Sequence, residues 1–278
     1  MPHRPFRFGV VAAQAPSGDA WLATARRIEE LGYATLLTPD RLGPLLSPIP
    51  ALAAAAAATR TLRLGTYVLA AGWRNPAVLA RECATLDLLS GGRFELGLGS
   101  GVGGEDARRA GLPDDPPGAR VNRLAATLDA LKALLRPRPP ILLAAGGKRA
   151  LALAAREADI VSLGVRPHGG EAALAEATRW LRRAAGERFP SLELNLNLLA
   201  VVGDAPVPPQ IRGRLRAMFG LDPDDLARAG SPFVLAGTVD EMCAQLLERR
   251  ESLGISYVTV PSDLMDALAP VVARLAGR

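Results

Sequence analysis

Short apolar runs alternate with longer amphipathic stretches along the chain. The apolar runs are rich in leucine and β-branched residues and are bounded by glycine, proline or polar residues, which is typical of strands. They predict strands at 6–13, 34–38, 62–70, 94–99, 140–145, 159–163, 192–202 and 255–260. Between them, helical spacing of apolar residues predicts helices at about 18–31, 50–58, 76–90, 122–135, 148–157, 171–185 and 238–253, two short helical pieces within 207–229, and a last helix capped by Ser262 and Asp263.

Eight strands that alternate with helices are typical of parallel β/α units, and eight is the strand number of a TIM barrel. We therefore expect an α/β fold, a (β/α)8 TIM barrel, that forms a single domain over 1–278. Two irregular excursions are expected at about 102–120 and 203–235. A doubly wound open sheet is the structural alternative, and only the strand count speaks against it.

The composition of the chain argues against nucleic acid and membranes as binding partners. Hydrophobic residues make up 49%, charged residues 22% and aromatic residues only 4% of the 278 residues, and the net charge of +5 is dispersed among acidic residues. This pattern favours a solvated surface over a nucleic-acid interface. The longest uncharged apolar run, 49–58, is too short to span a membrane. The two cysteines, Cys83 and Cys243, lack any disulfide-type spacing, so we expect a reducing, cytoplasmic location.

The glycine-rich stretch 99–104 matches the G-x-G-x-x-G pattern of dinucleotide-binding proteins. That pattern requires a following helix and then a second strand that ends in an acidic residue about 20 residues on. The corresponding region, 113–120, contains four prolines or glycines and no strand pattern. We therefore reject a Rossmann-type nucleotide site.

In a TIM barrel, binding and catalytic side chains lie on the loops that follow the strands. This rule selects Gln14, Asp40, Arg41, Trp73, Arg74, Ser100, Gly101, Glu105, Gly146, Gly147, Lys148, Arg149, Arg166, His168, Ser262 and Asp263, among others. The segment 146–149 combines free backbone N–H groups with two cations at a helix N-terminus, where phosphate binds well, although a plain turn with surface cations has the same sequence. Two histidines and two cysteines provide no metal cluster, and no G-x-S-x-G nucleophile motif occurs.

The phrase from Pro76 to Arg81, continued from Leu86 to Gly101, resembles the luciferase-like monooxygenase superfamily. It is most similar to the branch that uses the deazaflavin coenzyme F420. The resemblance implies a TIM barrel, a homodimer, and a non-proline cis peptide at Tyr67–Val68 that backs the cofactor ring. It also implies that Gly99, Ser100 and Gly101 give space beside the cofactor, and that the loop with Gly146, Gly147, Lys148 and Arg149 holds its phosphate.

The resemblance also assigns Asp40 to the acidic position of the family's Asp-His-Leu element, which contacts the deazaflavin. Here the triplet is Asp-Arg-Leu, and Arg41 replaces a histidine that can shuttle protons in relatives. An arginine can instead hold an anion or stabilise a negatively charged reduced ring. Asp40, Arg41 and His168 are therefore the catalytic candidates, and Gln14, Trp73 and Glu105 are the candidates for substrate contact.

Three functions follow. The first is an oxidoreductase that transfers a hydride between coenzyme F420 and a small organic substrate. The second is an FMN-dependent monooxygenase. The third is a non-catalytic flavin- or deazaflavin-binding barrel, which the departure at Arg41 keeps open. All three predict a small-molecule ligand and a homodimer, with no nucleic-acid, membrane or metal partner.

Overall fold

The computed structural model of the chain describes residues 4–101, 103–167, 170–203 and 207–278. Its strands are β1 Arg7–Val11, β2 Thr35–Thr38, β3 Arg63–Thr66, β4 Leu69–Ala70, β5 Phe94–Gly99, β6 Ile141–Ala145, β7 Ile160–Leu163, β8 Glu193–Asn197, β9 Ala200–Val202, β10 Val234–Ala236 and β11 Ile255–Pro261. Its helices are α1 Gly18–Glu30, α2 Pro48–Ala58, α3 Pro76–Leu89, α4 Glu105–Arg109, α5 Pro117–Leu134, α6 Lys148–Glu157, α7 Gly170–Ala185, α8 Pro209–Phe219, α9 Pro223–Arg228, α10 Val239–Leu253 and α11 Met265–Leu275.

The large sheet is a closed parallel barrel. Neighbouring strands follow the order β3-β2-β1-β11-β8-β7-β6-β5-β4, and a further pairing between β3 and β5 closes the ring. Every one of these pairings is parallel. The predicted (β/α)8 barrel is therefore confirmed, and the doubly wound open sheet is excluded.

The inside of the barrel is filled in layers. Leu37, Leu142, Ile160 and Tyr257 form an apolar layer inside the barrel. At its N-terminal end, Arg7 forms ion pairs with Glu95 and Glu193, and Arg63 Nε lies 2.5 Å from the same Glu95. These ion-paired side chains fill the N-terminal end of the barrel interior. Space for a ligand inside the barrel is therefore left at the C-terminal end, as is usual for the fold.

Helix boundaries follow the capping residues in the sequence. Ser17 caps α1, and Asn75 caps α3 just before the proline at its first turn. Thr238 and Glu241 form the predicted capping box at the start of α10, which ends at Gly254 in the left-handed conformation. Ser262 and Asp263 do not cap the last helix, because a 3-10 turn over Ser262–Leu264 comes first.

Two predicted strands are interrupted. The run 62–70 divides into β3 and β4 at the cis peptide between Tyr67 and Val68, which confirms the bond expected from the resemblance. The run 192–202 divides into β8 and β9, and β9 leaves the barrel to pair in parallel with β10. A continuous apolar run predicted one strand in each case because hydropathy shows neither where a strand is interrupted nor where it changes partners.

Both excursions contain regular secondary structure. The first contains the short helix α4, and α5 begins at Pro117 rather than near residue 122. The second contains α8, α9 and β10, so it adds a small helical layer and a two-stranded sheet beside the barrel. Within the residues described, the first segment is therefore more regular than predicted. In the second, α8 and α9 confirm the two short helical pieces predicted within 207–229, and only the strand β10 was not predicted.

Candidate active site

A cavity of about 270 Å³ opens at the C-terminal mouth of the barrel, between the ends of β2, β4 and β5. It is lined by Pro39, Asp40, Arg41, Tyr67, Val68, Ala70, Trp73, Gly99, Ser100, Gly101 and Ala144. Eight of the residues that the sequence proposed for the site therefore come together, from four separate segments of the chain. This convergence makes the cavity the primary candidate for ligand binding.

Asp40 is buried and both of its carboxylate oxygens are engaged. Arg74 donates to it twice, from Nη1 to Oδ2 at 2.6 Å and from Nη2 to Oδ1 at 3.0 Å, and the backbone N–H of Ala70 donates to Oδ2 at 3.0 Å. Burial of the Arg74 guanidinium opposes its charge, but the hydrogen bonds and charge of Asp40 outweigh that effect and raise its pKa. Asp40 thus fixes the loop that carries Trp73 on the cavity wall.

Arg41 connects the cavity rim to helix α4. Its guanidinium forms an ion pair with Asp106, which is only 6% exposed, and Arg109 Nη1 donates to the carbonyl of Leu42 at 3.0 Å. These two contacts fasten α4 to the loop after β2. The sequence offered both Glu105 and Asp106 as carboxylates on this loop, and Glu105 was chosen as the candidate because the segment was expected to have no periodic structure that would distinguish the two.

A second cavity of about 230 Å³ adjoins the first and shares Tyr67, Val68 and Ala144 with it. Its remaining lining residues are Ser162, Leu163, Gly164, Val165, Pro167, Asn197, Leu199, Phe219 and Phe233. Tyr67 Oη lies 2.6 Å from Ser162 Oγ and 3.0 Å from Asn195 Oδ1, and burial raises the pKa of Tyr67. The cis peptide therefore stands between two connected spaces, with a buried polar network beneath the second.

The glycines around β5 make room for the interrupted strand. A Cβ on Gly97 would lie 1.8 Å from the carbonyl oxygen of Thr66, and a Cβ on Gly99 would lie 2.6 Å from Val68 Cγ2. A side chain at either position would overlap its neighbour, because non-bonded atoms do not approach this closely. Gly99, the first glycine of the stretch that suggested a nucleotide motif, thus accommodates Val68, and Gly97 before it accommodates Thr66.

A third cavity, of about 620 Å³, continues the groove beyond the second and shares Gly164 and Val165 with it. Gly146, Gly147, Lys148 and Arg166 line it, together with Glu176 and Trp180. A Cβ on Gly146 would lie 2.1 Å from the carbonyl oxygen of Gly164, and no side chain caps the N-terminus of α6. Lys148 Nζ sits 5.3 Å from the centre of the Trp180 ring. Backbone N–H groups and two cations are thereby available to an anion.

Four proposed residues do not reach these cavities, or cannot be placed. Gln14 is exposed and donates to the carbonyl of Pro44 at 3.2 Å. The Glu105 side chain is 68% exposed and pairs with Arg109. Arg149 points to α5, where its Nη2 donates to Asn122 Oδ1 at 3.0 Å. His168 lies outside the residues that the structure describes.

Comparison with known proteins agrees with this architecture. The family model described as luciferase-like monooxygenase matches residues 5–207. The chain belongs to this family. Among the residues described, no cluster of histidine, cysteine and carboxylate side chains is arranged to hold a metal ion, and none of their helices combines the length and hydropathy of a membrane span.

Individual relatives include both monooxygenases and F420-dependent enzymes. The 4-hydroxyprotoasukamycin monooxygenase of Streptomyces nodosus subsp. asukaensis is 35% identical over 132 residues, which cover 45% of this chain and 35% of that protein. The F420-dependent glucose-6-phosphate dehydrogenase of Nakamurella multipartita is 28% identical over 87% of this chain and 81% of its own length. By contrast with the glucose-6-phosphate dehydrogenase, the monooxygenase and other curated relatives match this chain over only about a third to a half of their own lengths.

Solved structures support the fold. An F420-dependent secondary alcohol dehydrogenase in complex with an F420-acetone adduct superposes with a TM-score of 0.77, over 98% of this chain and 99% of that chain, at 17% identity. At this level of identity the similarity concerns the barrel itself. Together with the family match, it identifies an enzyme of the luciferase-like oxidoreductase and monooxygenase superfamily.

Proposed function

We propose that this enzyme transfers a hydride between coenzyme F420 and a small organic substrate. One observation carries the proposal: three connected cavities run from Asp40 and Trp73, past the cis peptide, to the glycines before α6. A groove with Trp73 on the wall of its first cavity and cations with free backbone N–H groups at its other end fits an elongated cofactor with a ring and a phosphorylated tail. The names of the F420-dependent relatives support the same choice.

The groups that line the cavities show how well the site fits coenzyme F420. Gly146 has no room for a Cβ, so the loop backbone packs closely against Gly164, and Gly147 and Lys148 would hold the cofactor phosphate. Val68 would support the ring, and Asp40 would contribute by holding the loop of Trp73 in place. When bound, the deazaflavin supplies the hydride chemistry, and the protein supplies binding, orientation and electrostatics.

Proton transfer needs a different source from that in relatives with histidine. Arg41 stays charged and is paired with Asp106, while both oxygens of Asp40 accept hydrogen bonds from Arg74. We therefore assign Arg41 an electrostatic role at the rim of the first cavity. Protons would come from the substrate or from water that reaches the site.

A binding titration tests this proposal. The purified chain is titrated with F420 and with FMN, and dissociation constants are obtained from the quenching of cofactor fluorescence. Lys148→Met should weaken F420 binding about tenfold, with a smaller dependence on salt, because one cation that faces the anion site is lost. Arg149→Met is the matched control, since the side chain of Arg149 contacts Asn122 instead and should change binding less than twofold. No binding of F420 by the unaltered chain would refute the proposal.

The alternative is an FMN-dependent monooxygenase, which the similarity to 4-hydroxyprotoasukamycin monooxygenase favours. The same titration separates the two, because this alternative predicts tight binding of FMN and consumption of oxygen by the reduced complex. Binding of either cofactor without turnover of any substrate would instead favour a non-catalytic barrel.

We also propose that the chain is a single domain that forms a homodimer through helix α3. Val78, Leu88 and Leu89 on α3 are 43%, 79% and 63% exposed, and Leu134 at the end of the adjacent α5 is 55% exposed. Apolar side chains grouped in this way are typical of a protein–protein contact. Sedimentation equilibrium should give a dimer for the unaltered chain and a monomer for Leu89→Arg, whereas an unchanged dimer would place the interface elsewhere.

A further inference from the structure

In the polar network beneath the second cavity, the identity of the atoms determines which group donates and which group accepts each hydrogen bond. Asn195 Nδ2 lies 3.3 Å from the backbone oxygen of Tyr257 and 3.3 Å from Thr259 Oγ1. A backbone carbonyl only accepts hydrogen bonds, so the amide nitrogen of Asn195 must face Tyr257, and its oxygen must face Tyr67. Tyr67 Oη, 3.0 Å from that oxygen, therefore donates its only proton to Asn195.

This assignment determines the state of Ser162. Its Oγ lies 2.6 Å from Tyr67 Oη, and either oxygen is a possible donor when the contact is considered alone. Because the proton of Tyr67 is already donated to Asn195, Ser162 must donate its own proton to Tyr67. Ser162 also lines the second cavity. Towards a ligand it can then only accept a hydrogen bond, through its remaining lone pair.

The other branch of the network determines the state of Asn197. Thr259 Oγ1 accepts from Asn195 and lies 3.1 Å from Asn197 Oδ1, to which it donates its own proton. Asn197 thus uses its oxygen within the network. Among the residues described, its Nδ2 makes no hydrogen bond, and Asn197 also lines the second cavity. Towards a ligand it offers the two protons of its amide nitrogen.

One acceptor and one donor therefore lie side by side on one wall. Ser162 of β7 is in register with Asn195 of β8, and Asn197 lies two residues further along β8, on the same face as Asn195. Apart from Tyr67, the other lining residues of this cavity are apolar and include Leu199, Phe219 and Phe233. A flat apolar ring with a polar edge, on which an N–H adjoins a carbonyl, complements such a cavity.

We propose that Ser162 and Asn197 recognise the pyrimidinedione edge of the cofactor ring. Ser162 accepts a hydrogen bond from the ring N–H, and Asn197 donates one to a neighbouring ring carbonyl. The inference rests on the proposed function in that a flavin-type ring occupies the barrel mouth. It holds for F420 and FMN alike, because both rings carry this edge. A substrate that bears an amide or imide offers the same chemistry, so the experiment must distinguish the two sources.

The test uses the full chain and ring compounds that differ by one methyl group. Dissociation constants are measured by fluorescence quenching for the deazaflavin chromophore and for FMN, each with and without methylation of the ring nitrogen N3. Methylation removes the N–H that Ser162 is proposed to accept. It should weaken binding to the unaltered chain about fivefold to tenfold, which is the usual effect of losing one hydrogen bond.

Three variants and a control complete the experiment. In Ser162→Ala, methylation should change affinity less than twofold, because the acceptor is already absent. Asn197→Asp should weaken both forms at least tenfold, because it replaces a donor by an anion that faces a carbonyl. Tyr67→Phe keeps Ser162 but frees its proton, so the discrimination between the two forms should also shrink. Ser256→Ala is the matched control, since this buried serine of β11 lines none of the three cavities.

The outcomes are distinct from those for the proposed function. Two results would refute ring recognition by Ser162 and Asn197 while leaving the proposed function in place. In the first, the rings bind, but methylation and Ser162→Ala weaken binding independently. In the second, Asn197→Asp binds the rings as tightly as the unaltered chain. If ring binding is unchanged in the variants and only the KM of an amide substrate rises, the pair recognises substrate instead. If neither ring binds to the unaltered chain, both proposals fail.

Discussion

The pair formed by Asp40 and Arg74 is open to a decisive test of whether Asp40 holds the site together. Asp40→Asn keeps the shape of the side chain but removes its charge and replaces one accepting oxygen by a donor. Arg74 then faces an amide with which it cannot form its two hydrogen bonds. We expect the loop with Trp73 to lose its anchor and the free energy of unfolding to fall.

The magnitude follows from burial. The Asp40 side chain is 6% exposed and that of Arg74 is 21% exposed, so solvent screens this pair much less than a surface pair. Breaking one partner of a buried pair costs about 3–5 kcal/mol, and the partial exposure of Arg74 reduces this to about 2–4 kcal/mol. At about 2 °C per kcal/mol for a chain of this length, Tm should fall by about 4–8 °C.

Thermal unfolding followed by circular dichroism measures this shift. Asp266→Asn is the matched control, because its pair with Arg27 has side chains that are 67% and 51% exposed and should contribute under about 1 kcal/mol. Adding Arg74→Met to Asp40→Asn should recover at least about 1 kcal/mol, since no unpaired charge remains. A Tm shift no larger than that of the control, or strictly additive effects in the double variant, would refute this reasoning.

Three further outcomes follow from single contacts. Partial burial raises the pKa of Glu29, but backbone hydrogen bonds from residues 60–62 to its Oε1 outweigh this and hold the pKa at about 2, below the ordinary 4.5. The contribution of ionised Glu29 to the free energy of unfolding is therefore complete above about pH 5 and is lost as pH falls towards 2. In urea unfolding at pH 7, Glu29→Gln should lower the free energy of unfolding by about 1–2 kcal/mol. An equally large decrease at pH 3 would contradict this prediction. Burial raises the pKa of the Cys83 thiol to about 12, so a thiol reagent at pH 8 should label Cys83 only after unfolding, and fast labelling of the native chain would show that it is accessible. Gly97→Ala should prevent accumulation of folded protein, because its Cβ would overlap the Thr66 carbonyl at 1.8 Å, while Gly18→Ala, with no atom within 4 Å, should fold normally.

The barrel was predictable because its signal repeats along the chain. Each strand is a short apolar run and each helix has an apolar stripe, so local errors of a few residues left the alternation intact. The first cavity was predictable for a related reason. Once the strand ends were known, the barrel geometry required that residues such as Asp40, Trp73 and Ser100 converge, although they are up to 60 residues apart in the chain.

The second cavity was not predictable from the same rule. Ser162, Asn195 and Thr259 lie within strands rather than on the loops that follow them, so a search of loops passed over them. A signal was present, since Asn195 and Asn197 are spaced two apart in a strand, alternate with leucines and must share one face. What the sequence lacks is the partner: nothing in it shows that Tyr67 reaches across to Ser162 on β7.

Glu105 and Asp106 show a second kind of limit. Adjacent residues on a helix point about 100° apart, so the exact start of α4 decides which carboxylate faces the barrel. The segment contains too few apolar residues to establish that start from its pattern, and the structure places Asp106 inwards, against Arg41, with Glu105 in solvent.

The ionisable side chains that line the first cavity form ion pairs or hydrogen bonds within the protein. Its ionisable lining residues within the described chain are Asp40, Arg41 and Tyr67. Asp40 is held by two hydrogen bonds from Arg74, Arg41 is paired with Asp106, and Tyr67 donates its proton to Asn195, with burial raising its pKa further. Each of these polar groups is thereby engaged by another group of the protein. Under the proposed function, these side chains would bind and orient the cofactor and stabilise charge on it, while the cofactor would supply the redox step.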